Sequence, residues 1–116
     1  MCIRDRTERE AREKFSDDVK ISRYPFSGVG KAVVIGENHG FVKLIASSRD
    51  GKIVGAHVIG PHATDLIAVA SIAIGLGADC EQFAHIVQAH PTLGEIWMEA
   101  GHGLIDGAIN FFQPNK

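Results

Sequence analysis

Cysteine is scarce in this chain. Among 116 residues there are two, Cys2 and Cys80, far apart, so there is neither a disulfide framework nor a C-x-x-C redox or metal motif. A reducing, cytoplasmic compartment is the simplest expectation. An excess of one charge is lacking too. The formal net charge is −2, and no basic run invites nucleic acid or an anionic membrane, so neither is expected as a partner. There is no long hydrophobic run. The longest nearly apolar stretch, Leu66 to Ala78, is interrupted by Ser71 and falls short of the ~20 residues that cross a bilayer. The charged opening residues give no signal peptide. A G-x-G-x-x-G fingerprint is also missing. Gly28-x-Gly30 leads into a strand-like run, and Gly101-x-Gly103 lacks its third glycine. Histidine is present, yet His39, His57, His62, His85 and His102 form no H-x-x-x-H or H-E-x-x-H pattern, and no metal site is expected.

What is there reads as one soluble domain with a modest core, 45% hydrophobic and 22% charged. Residues 1–6, Met1-Cys2-Ile3-Arg4-Asp5-Arg6, resemble the translation of a transposon-type sequencing adapter. They are expected to be foreign, with the natural polypeptide continuing upstream and residues 7–116 forming the domain. Thr7-Glu8-Arg9-Glu10 fits a capping box and starts a helix over about 8–15. Val19, Ile21 and Arg23-Tyr24 alternate as a strand does, and Pro25 limits it to an edge or an end. Lys31 to Ile35 is a further strand-like run after the turn at Ser27 to Gly30. Phe41 to Ser47 and Ile53 to Ile59 flank Asp50-Gly51, a hairpin signal. Three adjacent strands joined by short turns imply an antiparallel sheet.

Helices follow. One over about 63–77 is apolar on nearly every face, more than a domain this small can bury alone. One face is therefore expected on the sheet and another against a second subunit. Asp79 is the N-cap of a helix over about 80–87, with Gln82 completing a capping box. Another helix begins near Thr92 to Glu95 and ends near Gly101 or Gly103. Strands first and helices after give an α+β fold, an antiparallel β-sheet flanked by helices. Cys80 reads as a small buried residue, and Trp97 and Phe111-Phe112 as core or interface residues.

The chemistry lies in Ala89-His90-Pro91-Thr92-Leu93-Gly94-Glu95. Histidine takes and returns a proton near neutral pH. Pro91 keeps His90 out of the helical conformation, so its ring projects ahead of the following helix. A carboxylate at Glu95, one turn in, suits the second ring N–H and the fixing of its tautomer. Thr92-x-x-Glu95 is also a capping box, which alone explains both residues. From spacing alone both readings stand.

The stretch is similar to the His-Pro-Thr-x-x-Glu signature of the pyridine nucleotide-disulfide oxidoreductases, most closely the dihydrolipoamide dehydrogenases. Tyr24-Pro25-Phe26-Ser27, Gly40-Phe41-Val42-Lys43-Leu44, Gly55-Ala56-His57-Val58-Ile59-Gly60-Pro61 and Asp65-Leu66-Ile67 follow that family's C-terminal domain in order. The resemblance implies a symmetric homodimer in which catalytic His90, held by Glu95, acts as acid-base partner of a reactive dithiol in the other subunit. It also implies that His90 and Pro91 border FAD there, across a cis peptide bond. In the complete enzyme FAD and NAD carry the electrons of a dihydrolipoyl group, and a lipoyl-bearing 2-oxoacid dehydrogenase complex is a candidate partner. The chain alone, without flavin domains or a redox cysteine pair, is expected to be inactive. Gln88 stands where the family often has histidine, Gly94 where serine is common and Val69 where glutamate is common. A stand-alone homodimerisation module and the same domain of a glutathione-reductase-like enzyme or a transhydrogenase are the alternatives.

Overall fold

The structure, a computed structural model, describes residues 2–105. Four strands form one antiparallel sheet: β1 (Cys2–Asp5), β2 (Val19–Pro25), β3 (Phe41–Ser47) and β4 (Ile53–Ile59), in the order β1-β4-β3-β2. The helices are α1 (Glu8–Phe15), α2 (Gly30–Val34), α3 (Ala63–Gly75), α4 (Cys80–His85) and α5 (Glu95–Gly103). This is the α+β arrangement expected, with helices on both faces of the sheet.

Strand alternation explains the two faces. Tyr24, Val42, Leu44, Ala56 and Val58 point to one side and form the main core with α3, α4 and α5. Ile45 points to the other and packs with Ala11 of α1 and Val54. Between β3 and β4 the chain turns through Asp50-Gly51, where Gly51 has φ +75° and the Asp50 carboxylate accepts the Lys52 N–H at 3.0 Å. The α1 start is as expected in outline: Thr7 accepts the Glu10 N–H at 3.2 Å, while its hydroxyl donates to Glu10 Oε1 at 3.0 Å. Asp79 and Gln82 form the full capping box at α4.

One expectation fails. The strand-like run Lys31 to Ile35 is helical, α2, closed by Ile35 N–H to the Lys31 carbonyl at 3.0 Å. Its β-branched residues favour a strand, but β3 is already paired on both sides, with β2 and β4. The outer edge of β2 stays open, but the run does not join it: Ala32 is buried, while Val33 and Val34 remain exposed. Residues 2–5, within the adapter-like span, form β1 at the sheet edge, with Cys2 opposite Val58 and Asp5 opposite Gly55. Ladder bonds at an open edge are made by backbone, so this pairing does not depend on which side chains the segment carries.

The sheet face of α3 buries Leu66, Ala70 and Ala73, whereas Ile72 and Leu76 point to solvent, Leu76 at 83% exposure. Trp97 of α5, fully buried, donates its indole N–H to the Leu66 carbonyl at 2.9 Å and meets the Phe83 ring edge-on at 6.0 Å. These contacts fix α5 on α3 and α4 and so place the start of α5. The expected packing of Phe111-Phe112 lies outside the described residues.

Candidate active site

The site is built where α4 hands over to α5. After His85 the chain turns extended at Ile86 (φ −70°, ψ +120°) and runs outward, with Val87 90% exposed. The next residue but one before Pro91 is Ala89, whose carbonyl accepts the Thr92 hydroxyl at 2.6 Å. That bond spans the His90-Pro91 pair and bends the segment back toward α5. The His90-Pro91 peptide is cis, as the resemblance implies.

His90 Nδ1 lies 3.0 Å from each carboxylate oxygen of Glu95, the first residue of α5. Glu95 Oε1 also accepts the Thr92 N–H at 3.0 Å. The two readings left open by the spacing are thus both satisfied by one carboxylate. The Glu95 half of the capping box is present, while the Thr92 hydroxyl serves Ala89 instead of the Glu95 N–H. Partial burial of Glu95 works against its charged form. The Thr92 N–H and the His90 ring outweigh it and hold the carboxyl below its ordinary range. Its place in the first turn of α5 further suits a negative charge.

An ionised carboxylate only accepts hydrogen bonds. Nδ1 of His90 is therefore the nitrogen that donates to Glu95, and Nε2 is the one directed away from it. The His90 side chain is 79% exposed while Glu95 is only 19% exposed. A shielded anchor with a presented base is the arrangement that proton transfer to an incoming group requires. His90 and Pro91 are both exposed, so the segment offers a surface that a cofactor held elsewhere can meet.

The other candidates separate from this site. Among the described residues no group of three His, Cys, Asp or Glu side chains lies close enough to hold a metal. The His85 and His102 rings meet edge-on at 5.5 Å, and His85 Nδ1 lies 2.8 Å from the Glu81 carbonyl. Cys80 is buried, which pushes its thiol up, so it is an inert packing residue as expected. His57 sits in β4 with Nε2 buried and without a hydrogen-bond partner. Burial pulls its pKa down, against the Arg6 carbonyl that accepts from its ring. No helix among the described residues is long and apolar enough to cross a membrane.

Sequence reasoning missed one pair. Glu99 on α5 is 2% exposed and faces the Tyr24 hydroxyl of β2, whose single hydrogen is shared between the Glu99 carboxylate and the Gly28 carbonyl at 3.0 Å. Burial first, then Glu99, raises the Tyr24 pKa. The signal was a glutamate one turn after Glu95 in an otherwise apolar run.

Comparison with known proteins identifies the family. Residues 6–101 match the family model described as pyridine nucleotide-disulphide oxidoreductase, dimerisation domain. The chain is 40% identical over 106 residues to a dihydrolipoyl dehydrogenase of Corynebacterium glutamicum, covering 90% of this chain and 23% of that protein. It is 46% identical over 83 residues to one of Geobacillus stearothermophilus, covering 72% of this chain and 18% of that protein. Its fold is similar to the HOCl-induced flavoprotein disulfide reductase RclA of Escherichia coli (TM-score 0.81, 19% identity, 90% of this chain and 23% of that one). It is also similar to LpdA of Mycobacterium tuberculosis (TM-score 0.76, 22% identity, 85% of this chain and 22% of that one). The chain therefore spans less than a quarter of the length of these relatives.

Proposed function

This chain belongs to the pyridine nucleotide-disulphide oxidoreductase family, as a dimerisation domain, and from that premise we propose that it is the C-terminal interface domain of a dihydrolipoyl dehydrogenase-like flavoenzyme. In this reading two copies pair, and each presents His90 to the dithiol site of the other. The observation that carries it is the pair of 3.0 Å contacts from Glu95 to Nδ1 of a ring that is otherwise open to solvent.

The chemistry follows from what a disulfide exchange needs. A thiolate, not a thiol, attacks a disulfide. Nε2 of His90 removes the thiol proton of a dihydrolipoyl group as its sulfur attacks the enzyme disulfide, and Glu95 stabilises the imidazolium that forms. The second substrate thiolate closes the oxidised ring and releases the enzyme dithiol. FAD and NAD would supply the onward electron transfer, and His90 and Pro91, both exposed, are the residues of this chain that would border the flavin. The lipoyl-bearing subunit of a 2-oxoacid dehydrogenase complex is the natural source of this substrate, and two free cysteines suit the reducing cytoplasm in which such chemistry runs.

The test uses the intact flavoprotein that carries this domain. His90→Gln lowers dihydrolipoamide-dependent NAD reduction by ~10²-fold or more, the scale for losing a general acid-base group, and leaves FAD content unchanged. Near-wild-type turnover overturns the role of His90. A natural start codon at Met1 in the source DNA, with no flavin domain upstream, favours the stand-alone dimerisation module instead.

A further inference from the structure

Gly94 does not need to be glycine for its backbone, since φ −61° and ψ −21° are ordinary helical values. What takes up the space of a side chain there is Gln88. A Cβ at residue 94 would stand 3.1 Å from Gln88 Oε1 and 4.0 Å from its Cδ, with Thr92 Oγ1 at 3.7 Å. Gln88 is half-buried although Val87 and Ala89 on either side of it are exposed. Its arm is laid back across the segment and rests on the residue that precedes α5. The chain that carries His90 is therefore closed twice, by Gln88 on Gly94 and by His90 on Glu95.

We propose that Gln88 is a positioning residue: its carboxamide, seated on the bare Cα of Gly94, holds residues 88–94 closed so that His90 Nδ1 stays on the Glu95 carboxylate. The contact works by removing conformations. A loop free at its base samples many states in which the ring leaves the carboxylate, and each closed contact removes a share of them. Only the catalytic consequence rests on the proposed function; the geometric statement concerns the His90 ring alone.

The experiment uses the full 116-residue chain with ¹⁵N-labelled histidine. The ring nitrogen shifts of His90 report which nitrogen carries the hydrogen in the neutral form. A neutral histidine left to itself prefers it on Nε2, so hydrogen on Nδ1 is the signature of the Glu95 contact. Gln88→Ala shifts the two ring nitrogens toward the Nε2–H pattern. Gly94→Ala crowds Gln88 Oε1 and shifts the ring nitrogens in the same direction, by less. The double variant is no worse than Gln88→Ala alone, because both act on one contact. Unchanged ring nitrogens in Gln88→Ala overturn the proposal. If Gly94→Ala fails to fold, Gln88→Ala decides alone, since that half-exposed side chain lies outside the core. A His90→Gln enzyme with normal turnover overturns the catalytic reading and leaves this one standing.

Discussion

Glu95→Gln tests the site most sharply, because the two side chains have the same shape and opposite hydrogen-bonding rules. Glu95 accepts one N–H from Thr92 at 3.0 Å and offers both oxygens to His90 Nδ1 at 3.0 Å. A carboxamide has one oxygen and one NH₂. The Thr92 backbone can only donate, so the oxygen of a glutamine turns toward Thr92 and the NH₂ toward His90. Two donors then face one another unless Nδ1 gives up its hydrogen. The ring switches tautomer, Nε2 carries the hydrogen, and the outward lone pair that the proposed proton transfer needs is gone.

The magnitudes follow. Two charge-assisted bonds become neutral ones of roughly half the strength, a loss of ~1–2 kcal/mol in stability. For a domain near 100 residues this is a fall of roughly 4–8 °C in Tm per kcal/mol. Turnover in the intact flavoprotein falls by ~10²–10⁴-fold, because a base held in the wrong tautomer is not a base. The pH dependence changes as well. The Glu95 pKa is held below its ordinary value of 4.5 by the Thr92 N–H and the His90 ring, against its partial burial. The unfolded chain therefore binds the proton first as pH falls, and the stabilisation is complete above that value and lost in acid as pH falls through the folded one. Glu95→Gln removes that part of the acid dependence. Ring ¹⁵N shifts, thermal melts and turnover measure the three effects. A His90 that keeps hydrogen on Nδ1, with turnover within a few-fold of wild type, would refute the reasoning.

Two further outcomes follow from the packing. Burial holds His57 below its ordinary value of 6.5, so the unfolded chain binds this proton more readily and stability declines as pH falls below about 6.5; melts of His57→Gln between pH 7 and 5 lose that slope, and an unchanged slope contradicts the burial argument. Trp97→Phe deletes the bond to Leu66 and leaves a void beside Phe83, costing ~2–4 kcal/mol in urea unfolding; a loss below ~1 kcal/mol means that Trp97 does not hold α5 on α3.

Most of the fold was legible because its signals are local. Alternation marks Phe41–Ser47 and Ile53–Ile59, the Asp-Gly turn joins them, and Asp79 with Gln82 announces α4. Lys31 to Ile35 misled for the opposite reason. Its β-branched residues favour a strand, yet it folds as one helical turn that buries Ala32 and leaves Val33 and Val34 exposed, a choice made by packing and not by propensity. The charged, short segment of β1 carried no alternation to read. At the site, His90 and Glu95 were legible as a pair because Pro91 and the start of α5 fix their separation. Gln88 was legible only as a residue that is not the base. Its contact with Gly94 appears once the segment bends back, and no spacing rule encodes that bend. The buried Glu99 and Tyr24 pair depends in the same way on how α5 meets β2.

The exposure of His90 and that of its neighbours have a common consequence. The loop that offers His90 to solvent also leaves Ile86 and Val87 exposed, and α3 presents Ile72 and Leu76. Apolar surface of this kind gains roughly 25 cal/mol for each Å² removed from water, so its burial favours association, whereas the His90 ring gains nothing from burial without a proton to receive. Val87 is three residues from His90 in the same exposed loop, so a partner that covers the one lies next to the other. In the proposed dimer, the event that buries the apolar loop is therefore the event that delivers Nε2 to the partner's dithiol. The clasp of Gln88 and the carboxylate of Glu95 then matter before association, because they set the ring's tautomer and direction in advance and leave less to be ordered when the two copies meet.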